Sequence, residues 1–368
     1  MKKMLMAATV PSMIGCFNMN NIHLLQDMGY EVHVACNFKD TSIWTRERTK
    51  AFIDELKSIG VRKHQVDFSR SPKDIKSIRK SFAQIQSLLK SHYYAFVHCH
   101  TPMAGLICRI SCYRNHVKVI YTAHGFHFYN GAPLVNWLVY YPIEKGLSYI
   151  TDTLITINKE DYKLAKNKLH AKHTVYIPGV GVDIEKYADV KIDKGQKRAE
   201  LDIGTEDIML LSVGELNKNK NHRIVIEALS QVQQHDTRRI HYCIAGIGEL
   251  QDDLQEMASR LGVNLHLLGF RNDIPELLKA ADVFLLPSFR EGLNVSLIEA
   301  IASGLPCIVS DIRGNRDAIR GIRSIMVDPE SVEDWSEAIE EILMMKDHKQ
   351  AYQFSDGVVA DEIEAVYA

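Results

Sequence analysis

The sequence predicts an α/β protein built from two Rossmann-like, doubly wound parallel-sheet domains with a cleft between them. Three observations carry that prediction. The chain has 368 residues, where one domain typically takes about 100–200. Short apolar β-type runs alternate with amphipathic helical stretches, the pattern of βαβ units. That rhythm stops at Pro178-Gly179-Val180-Gly181 and then restarts.

In the first half the β-type runs are Lys3–Thr9, Glu31–Cys36, His64–Phe68, Ala95–His100, Val117–Ala123, Thr151–Ile157 and Thr174–Pro178. In the second half they are Ile208–Gly214, Ile240–Gly246, Asn264–Gly269, Asp282–Ser288, Pro306–Asp311 and Arg323–Asp328. The domains are expected at residues 1–180 and 181–350, with the Pro-Gly-Val-Gly segment as hinge. A last helical stretch, Gly357–Tyr367, lies beyond the helix Ser331–Met345 and is positioned to pack back on the first domain. A ligand is expected at the carboxyl ends of the two sheets.

Hydrophobic residues make up 46% and charged residues 24%, with 10 Pro and 21 Gly, which excludes disordered, collagenous and low-complexity architectures. The sequence contains no run of 18 apolar residues, and the opening segment reads as a strand entering a Gly loop without a small-residue cleavage site. Neither secretion nor membrane spanning is expected, and the cytoplasm is the expected compartment. The seven cysteines contain no Cys-x-x-Cys pair and read as buried reduced thiols.

The net charge of −2 hides a division: residues 1–180 carry 24 Lys+Arg against 12 Asp+Glu, and residues 181–368 carry 20 against 34. Lys73–Lys90 sets Ile75, Ile78, Phe82, Ile85 and Leu89 at helical spacing among basic residues, making a basic amphipathic helix. One reading is a solvated helix packed on its own domain. The other adds that the basic face meets an anionic membrane, as a peripheral contact, or a phosphate-bearing substrate. Nucleic acid is not expected as a partner, given the acidic second half and the absence of a binding motif.

The most informative segment runs from Pro287 to Asp311, PSFREGLNVSLIEAIASGLPCIVSD. It reads as a buried strand, a short loop, a helix beginning near Asn294 and a further strand. A helix N-terminus at a strand end offers the backbone N–H groups of Leu293, Asn294 and Val295 to a phosphate. Glu291 and Glu299, eight residues apart, are too widely spaced for the carboxylate pair of a glycoside hydrolase. They suit different parts of one long ligand, although either alone also reads as a solvated carboxylate.

Glu291, seven residues, Glu299, then Ala300 and Gly304-Leu305-Pro306 resemble the E-x7-E signature of retaining glycosyltransferase family 4, which has the two-domain GT-B fold. Other segments agree in order and spacing across nearly the whole chain. SVGELNKNKNH, Ser212–His222, resembles the family's loop ending in Lys-Gly; Ala245–Gly248 resembles its Gly-x-Gly turn; Leu268–Arg271 resembles its nucleotide-contacting loop. Val97–His100 and Thr122–Tyr129 resemble its sugar-facing histidine segments, as found in capsule and exopolysaccharide enzymes.

The resemblance implies a reaction centre at His124, Glu291 and Lys220. It places the donor against Gly15, Gly214, Lys220, Arg271, Glu291, Gly292, Leu293, Asn294, Val295 and Glu299. Glu291 would contact the donor sugar, Glu299 the ribose and Lys220 the diphosphate. His100, Phe126 and His127 fall on the acceptor side. The implied reaction retains configuration by front-face attack, with the leaving phosphate taking the acceptor's proton, and it needs neither a protein nucleophile nor an obligate metal or cofactor. The implied partners are a nucleotide-sugar donor, in the first place a UDP-sugar, and a lipid-linked saccharide acceptor.

Two positions depart from the family pattern. Glu215 stands where an Arg is usual, which brings a like charge toward a pyrophosphate unless it turns away; Lys218 or Arg290 would compensate. The first-strand loop, often Gly-Gly, keeps only Gly15. His98 and His100 share one strand face and with His124 or His127 raise a metal site, but no Cys, Asp or Glu stands beside them at ligand spacing, so no metal ligand set is expected. His124 also reads as a structural imidazole capping a loop, and Phe126, Phe128, Tyr129, Trp137, Tyr140 and Tyr141 read as core packing before a sugar platform. Two alternatives to the transferase remain: a sugar-nucleotide epimerase of GT-B fold, and a noncatalytic nucleotide-sugar or glycan-binding protein. No intact G-x-G-x-x-G follows the first strand of either half, which argues against a dinucleotide oxidoreductase.

Overall fold

Apolar runs of the sequence become strands of two parallel sheets in a computed structural model that describes residues 1–179, 184–188, 190–233, 238–319, 322–345 and 356–368. The chain divides into two units, residues 1–180 with 357–368, and residues 181–356. Residues Val180 and Gly181 of the expected hinge lie outside the described residues.

In the first unit the strands are β1 (Lys2–Ala7), β2 (Tyr30–Cys36), β3 (Arg62–Gln65), β4 (Tyr94–His100), β5 (Lys118–Ala123), β6 (Thr153–Thr156) and β7 (His173–Tyr176). The helices are α1 (Pro11–Phe17), α2 (Met19–Asp27), α3 (Arg46–Ser58), α4 (Ile75–Ser91), α5 (Pro102–Asn115), α6 (Leu134–Ser148) and α7 (Lys159–Lys168). The strand order is β3-β2-β1-β4-β5-β6-β7, all parallel. Side chains alternate across this sheet. Met4 and Met6 join Ile22, Val34 and Phe52 on one face, while Leu5 and Ala7 join Ile85, Ile107 and Val97 on the other. The run His64–Phe68 is paired only through Gln65; Val66 and Phe68 are buried beyond the strand end, against the α4 side of the core.

The second unit holds α8 (Ile184–Ala188), α9 (Lys194–Ala199), β8 (Ile208–Val213), α10 (His222–Val232), β9 (Ile240–Ala245), α11 (Gln251–Leu261), β10 (Asn264–Gly269), α12 (Ile274–Ala280) and β11 (Val283–Leu286). It continues with α13 (Val295–Ala302), β12 (Cys307–Ser310), α14 (Arg313–Ala318), β13 (Ser324–Val327) and α15 (Val332–Met344). The strand order is β10-β9-β8-β11-β12-β13.

The final helix, α16 (Asp356–Tyr367), contributes Val359, Ile363 and Tyr367 to the core of the first unit, and the Tyr367 hydroxyl lies 2.8 Å from His98 Nδ1. α4 buries Ile85 and Leu89 and leaves Lys76, Arg79, Lys80 and Lys90 exposed. No helix among the described residues is long and apolar enough to cross a membrane.

Candidate active site

Strand order reverses direction between β8 and β11 in the second unit, so the loops leaving these neighbours diverge and open a crevice at their carboxyl ends. Lys220, from the loop after β8, and Glu291, from the loop after β11, meet there: Nζ donates to Oε1 at 2.7 Å, and both side chains are largely buried. Glycines make that approach possible. A Cβ on Gly214 would stand 3.0 Å from Lys220 Cε, and one on Gly246 only 1.8 Å from the Gly214 carbonyl oxygen. The turn after β9 therefore fits against the β8 loop only with glycine at 246. Gly314 does the same for Gly292, whose carbonyl oxygen would lie 1.9 Å from an added Cβ.

Asn294 is the N-cap of α13, and its Oδ1 accepts from Leu297 N at 3.2 Å. Among the described residues, the N–H groups of Leu293, Asn294 and Val295 have no acceptor. They follow Glu291, the partner of Lys220, in the chain and lie at the positive end of the helix dipole. Further along α13, Glu299 accepts from the Tyr187 hydroxyl at 2.5 Å, and burial raises its carboxyl above the usual range. Arg271 is held by Asp273, with Nε donating to Oδ1 at 2.7 Å. Glu215 is exposed and its carboxylate accepts from Asn217 Nδ2 at 2.8 Å. A cavity of about 610 Å³ flanks this loop, with Asn217, Lys218, Asn221, His222, Arg260 and Phe289 among its walls; Lys220, Glu291 and Glu299 do not line it.

The first unit has its own reversal, between β1 and β4. Thr9 N donates to Thr101 Oγ1 at 3.1 Å across it, and Thr101 adopts φ 68°, a strained conformation for a β-branched residue. Next to Thr101, His98 and His100 lie on one face of β4 with tilted rings whose centroids are 4.2 Å apart. His98 is fixed at both nitrogens, by Tyr367 and by Thr122 Oγ1 at 2.8 Å. His100 Nδ1 lies 3.1 Å from His124 Nε2, and its other nitrogen is buried with no partner among the described residues. Burial pushes His98 down to about 3 and His124 down to about 4, so both are neutral imidazoles at physiological pH. A recess takes in Asn18, Asn21, His100, Thr122 and His124. His127 stacks on Tyr140 with centroids 4.6 Å apart.

Two expected contacts are corrected. Gly15 is in helix α1 rather than a loop, and a Cβ there would stand 2.4 Å from the Trp44 ring. The missing Cβ there makes room for the Trp44 and Phe52 rings. Phe126 is 4% exposed and stacks on Phe128 within the core, so its ring offers no face to an acceptor. Tyr187, Thr101 and Gly314 were not foreseen; a lone Tyr, Thr or Gly at these positions carries no local signal.

The family model for glycosyl transferases group 1 matches residues 193–355, and that for glycosyl transferase 4-like proteins matches residues 13–158. EpsD of Bacillus subtilis, assigned as a glycosyltransferase, is 35% identical over 100% of this chain and 96% of its own. The chain belongs to glycosyltransferase family 4. The glycosyltransferase is also 36% identical to an Escherichia coli UDP-Gal:alpha-D-GlcNAc-diphosphoundecaprenol alpha-1,3-galactosyltransferase, over 66% of this chain and 64% of that one. Among solved structures, Anabaena HepE in complex with UDP and glucose superposes with a TM-score of 0.74 at 18% identity, over 100% of this chain and 94% of that chain. That likeness establishes the GT-B fold.

Proposed function

We propose that this glycosyltransferase moves a sugar from a UDP-sugar to a hydroxyl of a glycan carried on a polyprenyl diphosphate, with retention of configuration and without an obligate metal, in capsule or exopolysaccharide assembly. The observation that carries the reading is Lys220 Nζ held 2.7 Å from Glu291 at the open N-terminus of α13. As the bond from the anomeric carbon to the phosphate oxygen breaks, negative charge grows on the diphosphate. A lysine and a row of backbone N–H groups stabilise that charge where a divalent cation would otherwise be needed. The acceptor oxygen forms its bond to the same face of the anomeric carbon, and its proton passes to the departing phosphate oxygen, giving glycoside and UDP. Glu291 accepts from a donor-sugar hydroxyl, Glu299 from the ribose, and neutral His124 hydrogen-bonds the sugar.

The donor and acceptor classes in the name of the E. coli relative support the reading. So does its alpha linkage, since UDP-galactose is itself an alpha anomer. The test is incubation with UDP-sugars and a polyprenyl-diphosphate saccharide, followed by NMR of the product. An alpha-linked product formed in the presence of a chelator is expected; a beta-linked product, or conversion of donor in the absence of acceptor, contradicts the proposal.

Helix α6 supports a membrane-borne acceptor. Leu134, Val135, Leu138, Val139 and Ile143 are all exposed, with Leu134 at 80% and Leu138 at 76%. Lys145 and Lys168 flank the helix, lying over the Tyr141 and Trp137 rings. A contiguous apolar face rimmed by lysines suits the boundary of an anionic leaflet, and the His127–Tyr140 stack joins it to the acceptor-side histidine segment. In the sequence, membrane contact stood as one of two readings for α4; the signal for α6 was LVNWLVYYPI, which has no charged residue on any face. Leu134→Asp with Leu138→Asp is expected to reduce sedimentation with phosphatidylglycerol vesicles at least tenfold, while turnover on a soluble acceptor stays unchanged. Equal vesicle binding by the variant would remove α6 from the membrane contact.

A further inference from the structure

Three histidines far apart in sequence converge on the α4-covered face of the first sheet, beside its β3 edge and away from His100 and His124. His33 is in the middle of β2, His64 is in the edge strand β3, and His92 is the C-cap of α4 just before β4. One ring nitrogen from each lies within 4.8 Å of the other two. Ring centroids are 5.0 Å apart for His33–His64, 5.1 Å for His33–His92 and 5.5 Å for His64–His92.

The hydrogen bonds around His33 fix which atom faces the group. Glu31 Oε1 lies 3.0 Å from His33 Nε2, so that nitrogen carries the proton and donates to the carboxylate. Nδ1 is left with a single lone pair. Two groups crowd it: the Tyr94 hydroxyl at 2.8 Å and His64 Nε2 at 3.0 Å. One lone pair cannot satisfy two donors well, and the rings are packed too closely for water to separate His33 from His64. A carboxylate behind one histidine, with that histidine's other nitrogen facing further imidazoles, is the arrangement found around protein-bound zinc, where the outer carboxylate sets tautomer and orientation.

We infer that His33, His64 and His92 form a binding site for a zinc-type divalent transition ion, with Glu31 orienting His33. Three imidazole nitrogens suit such an ion, whereas calcium and magnesium require oxygen ligands. With metal–nitrogen bonds of about 2.0–2.1 Å, tetrahedral ligands stand about 3.3 Å apart. His33 and His64 need to separate by a few tenths of an ångström, and His92, half-buried and outside the strands, closes the third side. Water or the Tyr94 oxygen completes the fourth position. Arg62 and Lys3 also face the site, but both lie beside Glu31, at 3.2 and 4.0 Å, which neutralises part of their charge. The site would fasten β3, four residues long and half-exposed, to β2 and to the α4–β4 turn. It is separate from the transfer site and does not rest on the proposed reaction. It also departs from the sequence expectation of no metal ligand set, which considered only His98, His100, His124 and His127.

The test uses the full chain without a polyhistidine tag, stripped with chelator and titrated with Zn²⁺. One equivalent bound per chain and a rise in thermal midpoint are expected, with a tetrahedral visible spectrum when Co²⁺ replaces zinc. His64→Gln with His92→Gln, both at half-buried positions, should lose the stoichiometric binding and the thermal rise, and Glu31→Gln should weaken binding about 10–100-fold. If circular dichroism shows the double variant unfolded, His92→Gln alone decides by the same readouts. No stoichiometric Zn²⁺ binding, or binding unchanged in the deciding variant, overturns the site.

Discussion

Lys220→Ala lowers the rate of sugar transfer at saturating donor by about 10²–10³-fold, equivalent to roughly 2.7–4 kcal/mol of lost transition-state stabilisation. The expectation rests on what remains after truncation. Glu291 keeps its charge and loses its 2.7 Å partner, so a carboxylate stands unopposed beside a phosphate that gains negative charge as the bond breaks. Lys220→Arg restores little, because a longer, planar guanidinium does not reproduce the compact point charge that Nζ holds 2.7 Å from Glu291. The fold survives, since Lys220 belongs to neither unit's apolar core. Rates from a saturating-donor assay, with circular dichroism on the same samples, check both statements. A loss smaller than about threefold removes Lys220 from the site.

Arg109→Ala destabilises the protein by about 3–5 kcal/mol. Arg109, on α5, is 1% exposed, and its guanidinium forks onto Glu144 of α6, with Nη1 to Oε1 at 2.5 Å and Nη2 to Oε2 at 3.1 Å. Nε donates to the Gly105 carbonyl at 3.1 Å, and the guanidinium carbon lies 4.0 Å from the centre of the Tyr121 ring. Removing the arginine leaves a buried carboxylate without a partner and a cavity beside Tyr121. Replacing both members by leucine recovers most of the loss, because the penalty comes from the stranded charge more than from the missing attraction. Urea melts of the single and double variants decide this; a single-variant loss under about 1 kcal/mol contradicts it. The pair also ties α6, the proposed membrane helix, to the core of the first unit.

Features written locally in the chain were legible before the fold was known. The β-type runs became strands because parallel strands covered on both faces must be apolar, and the restart after Gly179 marked a second sheet. Asn294 was readable as a helix start because a short polar residue before an apolar helical run has few other uses. The Pro287–Asp311 string carried enough fixed spacing to identify the family.

What escaped depended on neighbours distant in sequence. Gly15 matches a loop glycine by position, but Trp44 and Phe52 fill the space above it. Phe126 sits between His124 and His127 in sequence, yet its ring is buried in the core of the first unit. The exposure of Leu134 and Leu138 on α6 carried no signal, because sequence records hydrophobicity and not coverage. His33, His64 and His92 meet only because β2 and β3 pair in the register His33 with Arg62 and Ala35 with His64, which sets both rings on one face.

The most direct measurement is a crystal structure of the full chain soaked with a UDP-sugar. The diphosphate is expected within about 3 Å of Lys220 Nζ and of the Leu293–Val295 N–H groups, with the ribose at Glu299. A nucleotide bound elsewhere, such as in the cavity beside Lys218 and Phe289 with Lys220 still paired to Glu291, would contradict the account.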